Sequence, residues 1–186
     1  KSLIVTVFFA GMLATIAAFF LENQSKHLLT TLGISISGTV SIIPIALWAF
    51  IEEACKFGAA YFTVLKRREN DEPVDNMIYL ITAAIGFAAL ETALFLVGPI
   101  ESEGLLNSLI TGNLRFIGTL PLHIVCSATI GVFMAFSFCK LPSLKGVYIF
   151  IGVLLAALLH TLFNFFILKD DANLLGVFGI VWVGVI

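Results

Sequence analysis

Four ionisable side chains and two imidazoles sit inside runs of otherwise apolar sequence. Glu52, Glu53 and Lys56 fall within Trp48-Ala-Phe-Ile-Glu-Glu-Ala-Cys-Lys, and Glu91 falls within Gly86-Phe-Ala-Ala-Leu-Glu-Thr. His123 follows Pro121 by two residues, and His160 precedes Asn164 by one helical turn. On a helix, Glu52 and Lys56 are spaced i,i+4 and Glu53 and Lys56 i,i+3, so one ammonium can reach either carboxylate. His160 and Asn164 present an imidazole and an amide to a common face. Three carboxylates against one ammonium leave excess negative charge in a low dielectric, so a carboxyl holds a proton or a cation is present. Both outcomes are useful chemically: paired carboxyls serve general acid and base catalysis, while carboxylates and imidazoles together can bind a divalent metal such as zinc.

These groups need elements to carry them, and the composition says which. The 186 residues are 60% hydrophobic and only 12% charged, with 18 Phe and a mean hydropathy of +1.08. A water-facing domain carries about 25% charge. The net charge of -2 and pI of about 5.9 offer no basic stripe for phosphates, so nucleic acid is excluded as a partner and the lipid bilayer is the expected solvent. Cys55, Cys126 and Cys139 are odd in number and lack C-x-x-C pairing, and so read as small core residues.

A spanning helix needs about 20 mainly apolar residues, and polar clusters divide the chain into six candidates: 3–21, 39–65, 75–98, 115–139, 146–168 and 172–186. The breaks fall at 22–26, 66–73, 98–113, 140–145 and 169–173, with Pro73, Pro99 and Pro142 at or near them. The fold class expected is all-α, a polytopic transmembrane bundle forming one domain over 1–186. The first run has no small-residue cleavage site and reads as a span rather than a signal peptide. Lys1 in place of Met and an apolar run stopping at Ile186 suggest a chain trimmed at its ends.

Lys1, Lys66, Arg67, Arg68, Lys140 and Lys145 collect on one side, which the positive-inside rule places in the cytoplasm together with the N-terminus. Counting about 1.5 Å per residue from the cytoplasmic ends, Glu53, Glu91, His123 and His160 lie at roughly 20 to 24 Å. Four helices thus deliver polar groups to one layer, a polar cavity toward the extracytoplasmic side. Pro121 is expected to bend or loosen its helix just before His123. Taken singly, each group has a plainer reading: an ion pair between helices for Glu52, Glu53 and Lys56, an interior hydrogen-bonded histidine for His123, an interhelical pair for His160 and Asn164. Arg115 reads as an interfacial anchor, the phenylalanines including Phe87 as packing, and 101–109 as a loop.

The ordered set is more specific than its parts. Glu52-Glu53-x-x-Lys56, Gly86-Phe87-x-x-x-Glu91, Pro121-x-His123 and His160-x-x-x-Asn164, spread over about 45–168, resemble the PrsW family of membrane proteases, relatives of the CAAX prenyl proteases and the abortive-infection membrane proteins. The resemblance implies an endopeptidase of prokaryotic cell membranes acting on a membrane-anchored, anti-sigma-factor-like protein. By analogy with CAAX proteases, Glu52 activates water, Glu53 and Lys56 set its ionisation, and His160 with Asn164 stabilises the oxyanion. The CAAX pattern has F-x-x-x-H where this chain has Phe87-x-x-x-Glu91, so His123 supplies the imidazole or Glu91 completes a metal site. Glu52, Glu91, His123 and His160 are the metal candidates; no cofactor beyond zinc or another divalent ion is implied. The alternatives are a CAAX-type protease, a non-catalytic scaffold of the same superfamily, and an ion or proton transporter. Oligomeric state is not readable from the sequence.

Overall fold

The computed structural model describes residues 2–34, 41–169, 176 and 179, with side chains between 98 and 116 described only at Gly104 and Leu106. Among the described residues there are five helices and no strand: α1 (Ser2–Thr31), α2 (Ile42–Ala60), α3 (Pro73–Glu103), α4 (Leu105–Ser137) and α5 (Pro142–Lys169). α2 runs on into a π-helical turn, Tyr61–Leu65. Four of the helices, α1, α3, α4 and α5, are long and apolar enough to cross a membrane. The chain is therefore an integral membrane protein. The expected span at 172–186 lies outside the described residues.

Two helices extend past the breaks that polarity suggests. α1 continues through Glu22 and Lys26 to Thr31, because Glu, Gln and Lys are good helix formers and a polar turn is not a helix end. The segment read as a loop, 101–109, is helical except at Gly104, whose φ of 82° lets α3 pass directly into α4. α4 runs through Pro121 without interruption. Pro73 opens α3 in the first turn, where no N–H is needed, and the Glu72 N–H donates to Asp75 Oδ2 at 3.0 Å.

Neighbours α1, α3, α4, α5 and α2 close a ring, and α2 also touches α3 and α4, so it meets all the other helices. Lipid is as apolar as Leu, which leaves close packing of small residues to hold such a bundle. At Gly11 an added Cβ would run into the Ala83 carbonyl, and at Gly86 into the Phe8 carbonyl. Thr15 Oγ1 then donates to the Phe87 carbonyl at 3.0 Å. Gly11 beside Ala83 and Thr15 beside Phe87 make α1 and α3 parallel. The outer surface is studded with exposed Phe9, Leu13, Phe20, Phe62, Phe136 and Phe150, as a lipid-facing surface should be.

Candidate active site

α1 turns one stripe inward: Gly11, Thr15, Ala18 and Ser25 are buried at helical spacing, and Glu22 lies on the same stripe. α2 does the same with Ala49, Glu53, Lys56 and Ala60. His123 on α4 and His160 on α5 are both about 98% buried, at 1% and 2% exposure. Glu52, Glu53, Lys56, Glu91, His123 and His160 form one connected cluster drawn from α2, α3, α4 and α5.

Each imidazole is gripped at one nitrogen by a carboxylate. His160 Nδ1–H donates to Glu53 Oε1 at 2.8 Å, and His123 Nε2–H donates to Glu91 Oε2 at 3.0 Å. The carboxylates thereby fix opposite tautomers and turn the remaining lone pairs inward. His160 Nε2 lies 3.8 Å and His123 Nδ1 4.0 Å from the same atom, Glu52 Oε2. That oxygen is buried and takes no hydrogen bond. Lys56, fully buried, donates from Nζ to Glu53 Oε1 at 2.7 Å and to His123 Nδ1 at 2.7 Å. Its ammonium stands 4.6 Å from the centre of the Phe87 ring, within cation–π range. Phe87 in turn packs against the His123 ring at 5.4 Å.

Beside this cluster is a cavity of about 390 Å³ between α1, α2 and α3. Glu22, Glu52 and Glu91 line it, with Thr15, Ala18, Phe19, Phe87, Leu94 and Phe95. Glu52 thus joins the two regions, one oxygen among the imidazoles and the carboxylate on the cavity wall. Phe19, Leu94 and Phe95 in that lining are also exposed.

Asn164 is half-buried one turn beyond His160 and has no part in the hydrogen bonds of the cluster. The Arg115 side chain lies outside the described residues. Two contributors read differently in the sequence. Glu22 reads there as part of a helix end, although its spacing from Gly11, Thr15 and Ala18 puts it on the inner stripe. Phe87 reads there as a motif residue with a packing role; its position four residues before Glu91, on the same face, is the signal that places it beside Lys56 and His123.

The residues suit a divalent metal. Ligands about 2.1 Å from a tetrahedral zinc stand about 3.4 Å apart; Glu52 Oε2 is 3.8 Å from His160 Nε2 and 4.0 Å from His123 Nδ1, and the three ligand atoms all lie within 4.8 Å of one another. Both imidazoles already have the carboxylate partners that metal-binding histidines use, and an orphaned buried oxygen completes the set. A second group, Glu53, Cys126 and His160, shares His160 with the first.

Comparison with known proteins gives an independent view. The family described as PrsW family intramembrane metalloprotease matches residues 1–186. The chain is 26% identical over 168 residues to Protease PrsW of Clostridioides difficile (strain 630), covering 90% of this chain and 68% of that protein. It is 27% identical over 173 residues to Protease PrsW of Geobacillus kaustophilus (strain HTA426), covering 91% and 69%. No solved structure gives a significant match.

Proposed function

The chain belongs to the PrsW family of intramembrane metalloproteases, and from that premise we propose that it hydrolyses a peptide bond of a membrane-anchored protein at a centre formed by Glu52, His123 and His160. The observation that carries this is the convergence of two buried imidazole nitrogens on Glu52 Oε2, at 3.8 and 4.0 Å, each imidazole held from behind by another carboxylate.

Glu52 is the member of the triangle that lines the cavity, and so it is the one that meets substrate. It holds a water, accepts its proton as the oxygen attacks the carbonyl, and returns the proton to the departing amine as the C–N bond breaks. Glu53 and Glu91 orient the imidazoles, and Lys56 offsets the charge of Glu53. Glu52 Oε2, His123 Nδ1 and His160 Nε2 are the atoms that would hold a divalent ion, zinc in the first instance, whose chemistry when bound is to polarise a carbonyl and acidify a water. Asn164, one turn from His160, is assigned to the developing oxyanion by analogy with the CAAX proteases.

The substrate proposed is a single-span, anti-sigma-factor-like protein cut on its extracytoplasmic side. Two features support it. The basic residues Lys66, Arg67, Arg68, Lys140 and Lys145 gather at the end of the bundle where α2 meets α3 and α4 meets α5, away from Glu22, Glu52 and Glu91. The positive-inside rule puts that end, and the N-terminus, in the cytoplasm of a prokaryotic cell. The exposed Phe19, Leu94 and Phe95 give the cavity an apolar edge, which suits a chain arriving from lipid.

The test is purified protein in liposomes with a single-span reporter. Glu52→Gln and His160→Ala are expected to lower cleavage by about 10² to 10⁴ while the proteins stay folded, and a chelator is expected to stop the wild type until zinc is restored. Undiminished cutting by both variants would remove the proposed chemistry.

A further inference from the structure

The Glu52, His123 and His160 triangle already has a cation at its edge. Lys56 Nζ sits 2.7 Å from His123 Nδ1, 2.7 Å from Glu53 Oε1 and 3.8 Å from Glu52 Oε2. Resting on the reading of that triangle as the metal-holding group, we propose that Lys56 is a resident counter-cation that competes with the divalent ion for His123 Nδ1 and thereby sets the metal affinity.

The competition follows from the number of lone pairs. A neutral imidazole has one acceptor nitrogen, and in His123 that nitrogen is taken by the lysine. Turning the ring to offer Nε2 would break the bond to Glu91 Oε2. His160 is in the opposite condition: its Nδ1–H is satisfied by Glu53 and its Nε2 is uncapped. One imidazole is therefore ready for a metal and the other is occupied until the ammonium moves.

The ammonium has somewhere to go. Glu53 Oε1 holds it already, and the face of Phe87 lies 4.6 Å away, so it can release His123 without leaving its carboxylate. Lys56 thus lowers the negative charge of the cluster when the metal is absent and repels the metal when it arrives. A unit positive charge about 4 to 5 Å from a doubly charged ion weakens its binding at least about tenfold even with water-like screening.

Cobalt(II) is the probe, because its visible absorption reports on the ligand set. Purified wild type, Lys56→Met and Lys56→Arg are titrated with Co²⁺, alongside Glu52→Gln and His160→Ala. The expected result is that Lys56→Met binds at least about tenfold more tightly than wild type, Lys56→Arg stays near wild type, and the last two lose the signal. Lys56→Gln, which keeps a donor for Glu53 without the charge, stands in if the methionine variant does not fold. Wild-type binding that Glu52→Gln abolishes but that neither Lys56→Met nor Lys56→Gln tightens overturns the competition and leaves the triangle standing. Binding that is absent throughout, or indifferent to Glu52 and His160, overturns both.

Discussion

Around the α1–α3 crossing the bundle closes on small and branched side chains. Val7, Val64, Leu80, Ala83, Ile130 and Val153 form one buried cluster there, and glycines let backbones touch. Further along the same two helices, past Thr15 and Phe87, the interior does not close: it carries the cavity, three carboxylates on its wall, and the buried hydrogen-bonded cluster behind them. The contrast separates two jobs. The apolar region fixes how α1 and α3 are rotated, and that rotation is what aims Glu22 and Glu91 at the cavity. The polar region holds its geometry through charge-assisted hydrogen bonds, which are shorter and stronger than neutral ones. Substitutions should therefore divide cleanly into those that disturb folding and those that disturb chemistry.

The largest effect on folding is expected from Gly86→Leu, because the new side chain meets the Phe8 backbone, which has nowhere to move. A loss of about 3 kcal/mol, read by thermal unfolding in detergent, is expected, with activity falling alongside it; an unchanged melting temperature would show that the crossing does not set the rotation. Phe87→Leu sharpens the comparison, since it keeps an apolar side chain but removes the ring from beneath Lys56. Cleavage should fall about 3- to 30-fold, the loss of a buried cation–π contact, with only a small change in melting temperature. A drop in stability without a drop in rate would return Phe87 to a packing role. The smallest effect is expected at Trp48, whose Nε1–H donates to Ser25 Oγ at 3.0 Å across α1 and α2. Trp48→Phe should cost about 1 kcal/mol of stability and leave the cleavage rate unchanged; a rate loss would extend the site to that contact.

Much of this arrangement could be read from the sequence, for a physical reason. Charged groups are so costly in lipid that Glu52, Glu53, Lys56 and Glu91 announce an interior site by their presence, and helical rise alone brings His123 and His160 to nearly the same height. What could not be read was helix length past a polar turn. Glu22-Asn23-Gln24 has the composition of a helix end and the propensity of a helix middle, and only packing against α2 and α3 decides between them. Gly104 hid in the same way, as a single residue doing the work assigned to a long loop. The grip of Glu53 and Glu91 on particular imidazole nitrogens depends on helix rotation, which spacing does not fix.

The carboxylates behind the imidazoles, Glu53 and Glu91, serve the centre by orienting His160 and His123 toward Glu52. A double-substitution cycle tests it: cleavage of the membrane-anchored reporter by Glu91→Gln, His123→Ala and the combined variant. If Glu91 works only by orienting His123, the combined variant cuts as slowly as His123→Ala alone, because nothing remains to be oriented. Losses that multiply in the combined variant would show two groups working independently and would contradict the account.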